Sequence, residues 1–317
     1  MDWNCRGLEP HEPELPIVNS SVPQTRPGRL AIGVISAGRV GAVLGAALAR
    51  AGHRVVAVSA VSSASRRRAA ALLADVDVRT ADEIGPDVDL LLLAVPDDAL
   101  PALVEGLVNA DALHAGQFVV HTSGRYGIDV LSPAMAIGAL PLALHPVMTF
   151  TGTSIDLDRL TGVCFGVTSI PVLRPVAEAL VLEMGGEPVW IDEADRVLYH
   201  AALAHGANHL VTLVSSSMDL LRAAGVENPQ RLLGPLLSAA LDNALRHGDA
   251  GLTGPVVRGD AGTVAAHVDA LMRVSPETAA AYIAMARLTA DRALAAGLLP
   301  AGDAAALLGV LARGSSS

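Results

Sequence analysis

Apolar residues along the first two thirds of this chain fall into short dense runs separated by helical periodicity. Residues 30–35 and 54–58 are such runs, flanking an alanine-rich helix at about 42–51 that Gly52-His53 closes. Runs this short and this apolar are expected of strands buried on both faces. Further runs lie at 90–95, 117–121, 139–144, 163–168 and 187–191, with a weaker one at 76–78. Helical spacing over 64–74, 99–108 and 172–184 separates several of them. From residue 192 the strand signal stops, and helices are predicted over 194–224, 229–247, 263–274, 276–296 and 301–312. Alternating β and α elements followed by helices alone predict an α/β, Rossmann-type, mostly parallel sheet domain over 29–191 and an all-α domain over 192–317. Residues 1–28, rich in proline and acidic side chains, are expected to be a disordered tail.

The turn after the first strand reads Ser36-Ala37-Gly38-Arg39-Val40-Gly41. Strand, glycine turn, helix, strand is the unit that sets a pyrophosphate on a helix N-terminus, where free N–H groups and the helix dipole favour an anion. Ser36 stands where the first glycine of G-x-G-x-x-G is usual, which predicts a negative φ there. Gly38 is expected to admit the phosphates, and Gly41 to let helix and strand pack closely. At the end of the second strand no acidic residue is present to meet a ribose 2′-hydroxyl. Ser59, Ser62, Ser63, Ser65 and Arg66 to Arg68 stand there instead. That composition points to a 2′-phosphate and so to NADP, with Ser59, Ser62, Arg66 and Arg67 among its contacts. A run of charge is also commonly just a solvated helix face.

Half of the 317 residues are apolar, and two stretches, 130–155 and 199–218, lack charge for long enough to suggest a membrane. The first contains Pro133, Pro141 and Pro146, and the second His200, His205, Asn208 and His209. They are read as strands with turns and as a buried helix, so no membrane is called for. A net charge of −10 with no basic stripe argues against nucleic acid. Cys5 and Cys164 form no motif, which suits a reducing, cytoplasmic setting and excludes a cysteine-cluster metal site. The chain has no lysine, so an amine nucleophile is not available and protons must come from histidine, hydroxyl or carboxyl groups.

Ala94-Val95-Pro96-Asp97-Asp98 resembles the fourth-strand motif of the 6-phosphogluconate dehydrogenase-like reductases, which include pyrroline-5-carboxylate reductases and β-hydroxyacid dehydrogenases. His121-Thr122-Ser123-Gly124, Leu144-His145-Pro146, Tyr199-His200 with Asn208, and Leu252-Thr253-Gly254-Pro255 with Arg258-Gly259-Asp260 together resemble the Rossmann-like and DUF2520 domain-containing proteins. The resemblance implies an NADP-binding N-terminal domain and a helical C-terminal domain. Some members of that group look like reductases of ketopantoate, a small 2-oxo acid. The β-hydroxyacid dehydrogenases carry a lysine four residues before the asparagine that Asn208 matches; Ala204 stands there in this chain.

Reducing a carbonyl requires a positioned nicotinamide, a donor for the substrate oxygen and a cation for a carboxylate. Val95, Pro96, His121, Thr122, Ser123 and His145 lie at predicted strand ends, where ring and substrate meet in such sheets. His121, Ser123 and His145 are equally suited to capping turns. On the long helix His205, Asn208, His209 and Thr212 share one side and His200 lies on another, a stripe that also fits satisfied core polar groups. Two histidines without a third ligand argue against zinc. Arg258, beyond the Gly254-Pro255 turn, is the candidate carboxylate clamp, and Asp260 the cap of the next helix. The expected activity is an NADP-dependent oxidoreductase of a small carboxylated carbonyl or hydroxy compound, acting as a homodimer. His121, His145, or a histidine between His200 and His209 would be its acid or base. The rivals are a non-catalytic NADP sensor and a helical interaction module with a vestigial nucleotide fold.

Overall fold

A computed structural model describes residues 28–313; the expected tail and Cys5 lie outside them, save for Gly28. Eight strands form one sheet: β1 (Ala31–Ile35), β2 (Arg54–Val58), β3 (Asp77–Val78), β4 (Leu90–Leu93), β5 (Phe118–His121), β6 (Leu140–Pro146), β7 (Cys164–Ser169) and β8 (Glu187–Trp190). Their spatial order is 3-2-1-4-5-6-7-8. Every neighbouring pair is parallel except β6 and β7, which run antiparallel. The reversal between β1 and β4 is the switch point at which a doubly wound sheet opens a crevice.

The runs read as strands are strands because both of their faces are covered. All four leucines of β4 are buried, each contributing roughly 2–3 kcal/mol of transfer free energy. Helices α1 (Arg39–Arg50) and, later, α4 (Arg174–Glu183) enclose one face in a core that includes Ile32, Val34, Leu44, Leu92 and Leu180. Between α1 and α4 come α2 (Ser63–Leu72) and α3 (Leu100–Asn109), and α3 covers the other face with Leu91, Leu93, Val104 and Leu107. α1 approaches its strands closely because it presents Gly41, Gly45, Ala46 and Ala47 inward.

The chain divides into two compact units between His200 and Ala201, inside the long helix α5 (Arg196–Ala223) and nine residues beyond the boundary of the sequence reading. The second unit continues with α6 (Pro229–His247), α7 (Ala261–Val274), α8 (Pro276–Ala295) and α9 (Ala301–Arg313). Val264, Val268, Ile283, Ala290, Leu307 and Leu311 form its core. Asp260 caps α7 as expected, accepting from the Thr263 N–H.

The reading of residues 199–218 as a buried helix does not hold within one chain. Val211 is 66% and Leu213 51% exposed, and Leu232, Leu236 and Leu241 of α6 are likewise exposed. The helix is there, but its apolar side chains are uncovered. Among the described residues no helix is long and apolar enough to cross a membrane.

Candidate functional site

At the switch point the chain leaves β1 through Ser36, whose φ is +77°. The expected negative φ is therefore wrong: a serine holds the left-handed conformation that a glycine adopts freely. The neighbouring strand supplies the reason. Ser36 N–H donates to Ser59 Oγ at 2.8 Å, and Ala37 N–H donates to Ser59 O at 2.8 Å. Two bonds to one residue of the β2 exit hold the turn against a cost of about 1–2 kcal/mol. Ser59 thus serves the turn itself.

Gly38 and Gly41 are glycine for different reasons. A methyl at Gly41 would overlap the Ser36 carbonyl oxygen and lie 2.8 Å from Ala94 Cβ, so this glycine permits helix and strand to pack, as expected. Gly38 has φ −67°. A methyl there would meet nothing nearer than Ser36 Oγ at 3.4 Å. Neither backbone conformation nor internal packing calls for glycine at that position. Gly38 is also the N-cap of α1, with no side-chain cap and no acidic residue in the first turn. The Arg39, Val40 and Gly41 N–H groups at this helix end form a cradle of the kind a pyrophosphate fills.

The arginines of α2 wrap this turn. Arg66 Nε donates to Ala60 O, curling over the β2–α2 loop, and Arg68 Nε donates to Ala37 O at 3.3 Å. Ser62 Oγ caps α2 by accepting from Ser65 N–H. Arg67 and Arg68 line a cavity of about 420 Å³ with Thr151, Thr153 and Ser154. The loop carrying those hydroxyls is folded by buried Asp156, which accepts from the Thr151 and Gly152 N–H groups at 2.7 Å. Two guanidiniums and the Ser154 hydroxyl form a donor set suited to a phosphoryl group, while the Thr151 hydroxyl donates to Asp156 Oδ1 and bonds to that of Thr153. Arg68 and the loop were not among the selected contacts; the loop follows β6, four strands from β2 in the sheet.

At the ends of β4 to β7 the candidate residues separate by role. Val95 and Thr122 are half-buried, Pro96 is exposed and Ser123 is buried. His121 is fully buried, its Nε2 donating to Gly127 O and its Nδ1 accepting from Ser123 N–H. With both nitrogens engaged by backbone, it holds the turn after β5. Burial pulls its pKa down to about 4. Ser123 Oγ accepts from the Arg125 and Tyr126 N–H groups.

His145, on β6, differs. Its Nδ1 is 2.8 Å from the Tyr199 hydroxyl, and its ring meets that of His200 edge-on with centroids 5.7 Å apart. Gly124 makes room for both imidazoles: a methyl there would lie 2.7 Å from His200 Cδ2 and 2.9 Å from His145 Nε2. Burial first, then the His200, Arg196 and His121 charges, lower the His145 pKa to about 4.

Below this group lies Arg196, 1% exposed. Its guanidinium donates to Thr168 Oγ1 and to the Ala143, Gly166 and Ser123 carbonyls at 2.7–3.5 Å. Arg196 was not singled out from the sequence, and Tyr199 only as part of a motif and not as a site residue, though their spacing to His200, four residues and one, puts all three in the first turn or so of α5.

In the second unit His205 and His209 are exposed, with their Nδ1 atoms 3.0 Å apart. Asn208 is exposed, and so is Arg258, in the turn before α7. Among the described residues no group of three or more histidine, cysteine, aspartate or glutamate side chains is arranged to hold a metal.

An open, mostly parallel sheet of order 3-2-1-4-5-6 with a glycine turn at its switch point defines a Rossmann-type α/β protein. Its two parts match family models: a Rossmann-like domain over residues 14–146 and DUF2520, a domain of unknown function, over 163–289. The chain is a Rossmann-like and DUF2520 domain-containing protein. No curated protein matches the sequence. Among solved structures it is similar to a provisionally assigned NADP oxidoreductase from Bacteroides fragilis, at TM-score 0.71 and 20% identity over 83% of this chain and 98% of that one. An imine reductase from Pseudomonas sp. follows at 0.63 and 19%, over 90% and 100% of the two chains. A Plasmodium falciparum pyrroline carboxylate reductase with NADP bound gives 0.53 and 12%, over 88% and 100%. At these identities the likeness is one of fold.

Proposed function

We propose that this protein is an NADP(H)-dependent oxidoreductase acting on a small carboxylated carbonyl or hydroxy compound, with a 2-oxo acid such as ketopantoate as the candidate. The observation that carries the reading is Gly38: a glycine with ordinary φ and room for a methyl group, at an uncapped helix N-terminus on the switch point. A dinucleotide pyrophosphate accounts for it. Arg67 and Arg68, with Ser154, hold the 2′-phosphate, and Arg66 covers the adenosine side. The NADP oxidoreductase and NADP-bound reductase among its structural relatives support the coenzyme choice.

When bound, the coenzyme gives or takes hydride at C4 of its nicotinamide. The residues of the chain do the rest. Val95, Pro96 and Thr122 flank the ring at the β4 and β5 ends. His145 and His200, meeting at Gly124, face the substrate oxygen. Arg258, exposed in the turn before α7, is the proposed clamp for the substrate carboxylate. The uncovered apolar residues of α5 and α6 support a homodimer formed through that surface.

The test is direct: NADPH should bind in the micromolar range or tighter and be oxidised on addition of a member of a 2-oxo acid panel. Arg258→Ala should raise KM for that acid at least tenfold with little effect on NADPH affinity. Tight NADPH binding without turnover across the panel would leave a nucleotide sensor as the better description.

A further inference from the structure

We propose that Tyr199 and Arg196 are positioning residues that hold His145 as a hydrogen-bond donor through Nε2, directed at the substrate oxygen. This rests on the reading of the chain as an oxidoreductase, and it deepens that reading by assigning the donor and its supports.

The geometry begins with Arg196. A buried cation usually sits opposite a carboxylate, yet this guanidinium is bonded to three main-chain carbonyls and one hydroxyl. Those bonds reach the loop after β5, and β6 and β7, so the first turn of α5 is tied to the strand ends. Three residues on, the Tyr199 ring lies 5.8 Å from the Arg196 guanidinium carbon. Its hydroxyl rests against Gly166 of β7, where any side chain would overlap the phenol. Gly166 pairs with His145 across the antiparallel ladder, so the phenol and the imidazole Nδ1 meet at 2.8 Å.

Among the described residues His145 Nδ1 is the one hydrogen-bond partner of the phenol, so its single O–H is satisfied by donating to Nδ1, whereas accepting from Nδ1 would leave that O–H without a partner. A neutral imidazole has one N–H. With Nδ1 accepting, that N–H is on Nε2, on the Gly124 side, beside His200. His145 is kept neutral by its surroundings: burial, His200 and Arg196 on α5, and His121 on β5 all disfavour its protonated form. Glu193 lies nearer Arg196 and is engaged with the Ile128 N–H; Cys164 on β7 acts on Tyr199. A neutral donor polarises a carbonyl without an ion to desolvate. Were NADPH bound, it would supply hydride to the substrate carbon and become NADP⁺; the carbonyl π pair would move onto the oxygen held by Nε2–H, and that oxygen would take its proton from solvent.

Long-range ¹⁵N–¹H correlation on the coenzyme-free protein tests this. Wild type should show His145 as the Nε2–H tautomer, neutral to below pH 5. Tyr199→Phe should turn that single tautomer into a mixture, and should lower kcat at least tenfold while the KM for NADPH stays within twofold. Arg196→Met should raise the His145 titration midpoint by roughly one pH unit, and Arg196→Lys should restore most of the difference. If Arg196→Met does not fold, the Tyr199→Phe spectra still decide. An Nδ1–H tautomer in wild type, or unchanged His145 spectra in Tyr199→Phe, overturns the proposal even where NADPH turnover is intact. Turnover absent with the expected tautomer present would instead overturn the oxidoreductase reading.

Discussion

Two glycines three residues apart should respond in opposite ways to the same added methyl group. In Gly41→Ala the new carbon overlaps the Ser36 carbonyl oxygen and presses on Ala94 Cβ at 2.8 Å. Both neighbours lie one residue past a strand and are held by hydrogen bonds from their N–H groups, Ser36 to Ser59 Oγ and Ala94 to Ile35 O, so α1 must move off the sheet by an appreciable fraction of an ångström. Overpacking of this kind costs about 1–3 kcal/mol. In Gly38→Ala the backbone already has φ −67°, and the nearest atom is an ordinary contact away at 3.4 Å. Alanine is a poorer N-cap than glycine by about 0.5–1 kcal/mol. It recovers about 0.4–1 kcal/mol from the narrower unfolded ensemble. The net change in stability should stay within about 0.5 kcal/mol. Its effect should fall on the pyrophosphate, with NADPH affinity reduced at least tenfold, which corresponds to about 1.4 kcal/mol or more. Urea melts with and without NADPH, combined with titration of nicotinamide fluorescence, separate the two. A Gly38→Ala protein that binds NADPH like wild type would remove the main support for a nucleotide site here. A Gly41→Ala protein as stable as wild type would show that the turn is looser than its geometry states.

Four other outcomes follow from the same structure. Ser36→Gly should stabilise the turn by about 0.5 kcal/mol, because relief of about 1–2 kcal/mol of left-handed strain exceeds the added unfolded-state entropy; a lower urea midpoint would contradict that. Replacing Arg67 and Arg68 together with alanine should weaken NADPH far more than NADH, as measured by their two dissociation constants, and an equal loss would show that the arginines do not read the 2′-phosphate. His121 and His145 have pKa values of about 4 when folded, against about 6.5 in the unfolded chain. The unfolded state therefore takes up protons first as pH falls, and stability present above pH 6.5 drains away towards pH 4 by up to about 1.4 kcal/mol per unit for each histidine. Urea midpoints recorded across that window should show the slope, and His121→Asn should lessen it. If the proposed homodimer forms through α5, wild type should sediment as a dimer and Val211→Glu with Leu213→Glu as a monomer, since both side chains are exposed in a single chain; a monomeric wild type would refute the dimer, and an unchanged mass in the variant would refute this face as its contact.

Much of the fold was legible in the chain because period and composition are local quantities. β2 and α6 fall where they were expected, and the leucines of 90–93 are buried on both faces as their density implied. The packing role of Gly41 could be read from spacing, because a strand leading straight into a helix leaves few geometries. Asp260 could be assigned as a cap because it immediately precedes a helical run and carries a short acceptor side chain.

Other properties belong to neighbours far along the chain. Ser36 tolerates φ +77° because Ser59, on another strand, accepts and donates beside it; no local pattern carries that. His145 and Tyr199 are 54 residues apart and meet through an antiparallel ladder that hydrophobic period does not distinguish from a parallel one. Arg196 reads as a surface charge at a helix start and proves to be buried. Its burial is set by three strand ends packed around it. The exposed apolar flank of α5 makes the converse point: helical period shows that a face is apolar, whereas whether anything covers it depends on how whole elements, or whole chains, come together.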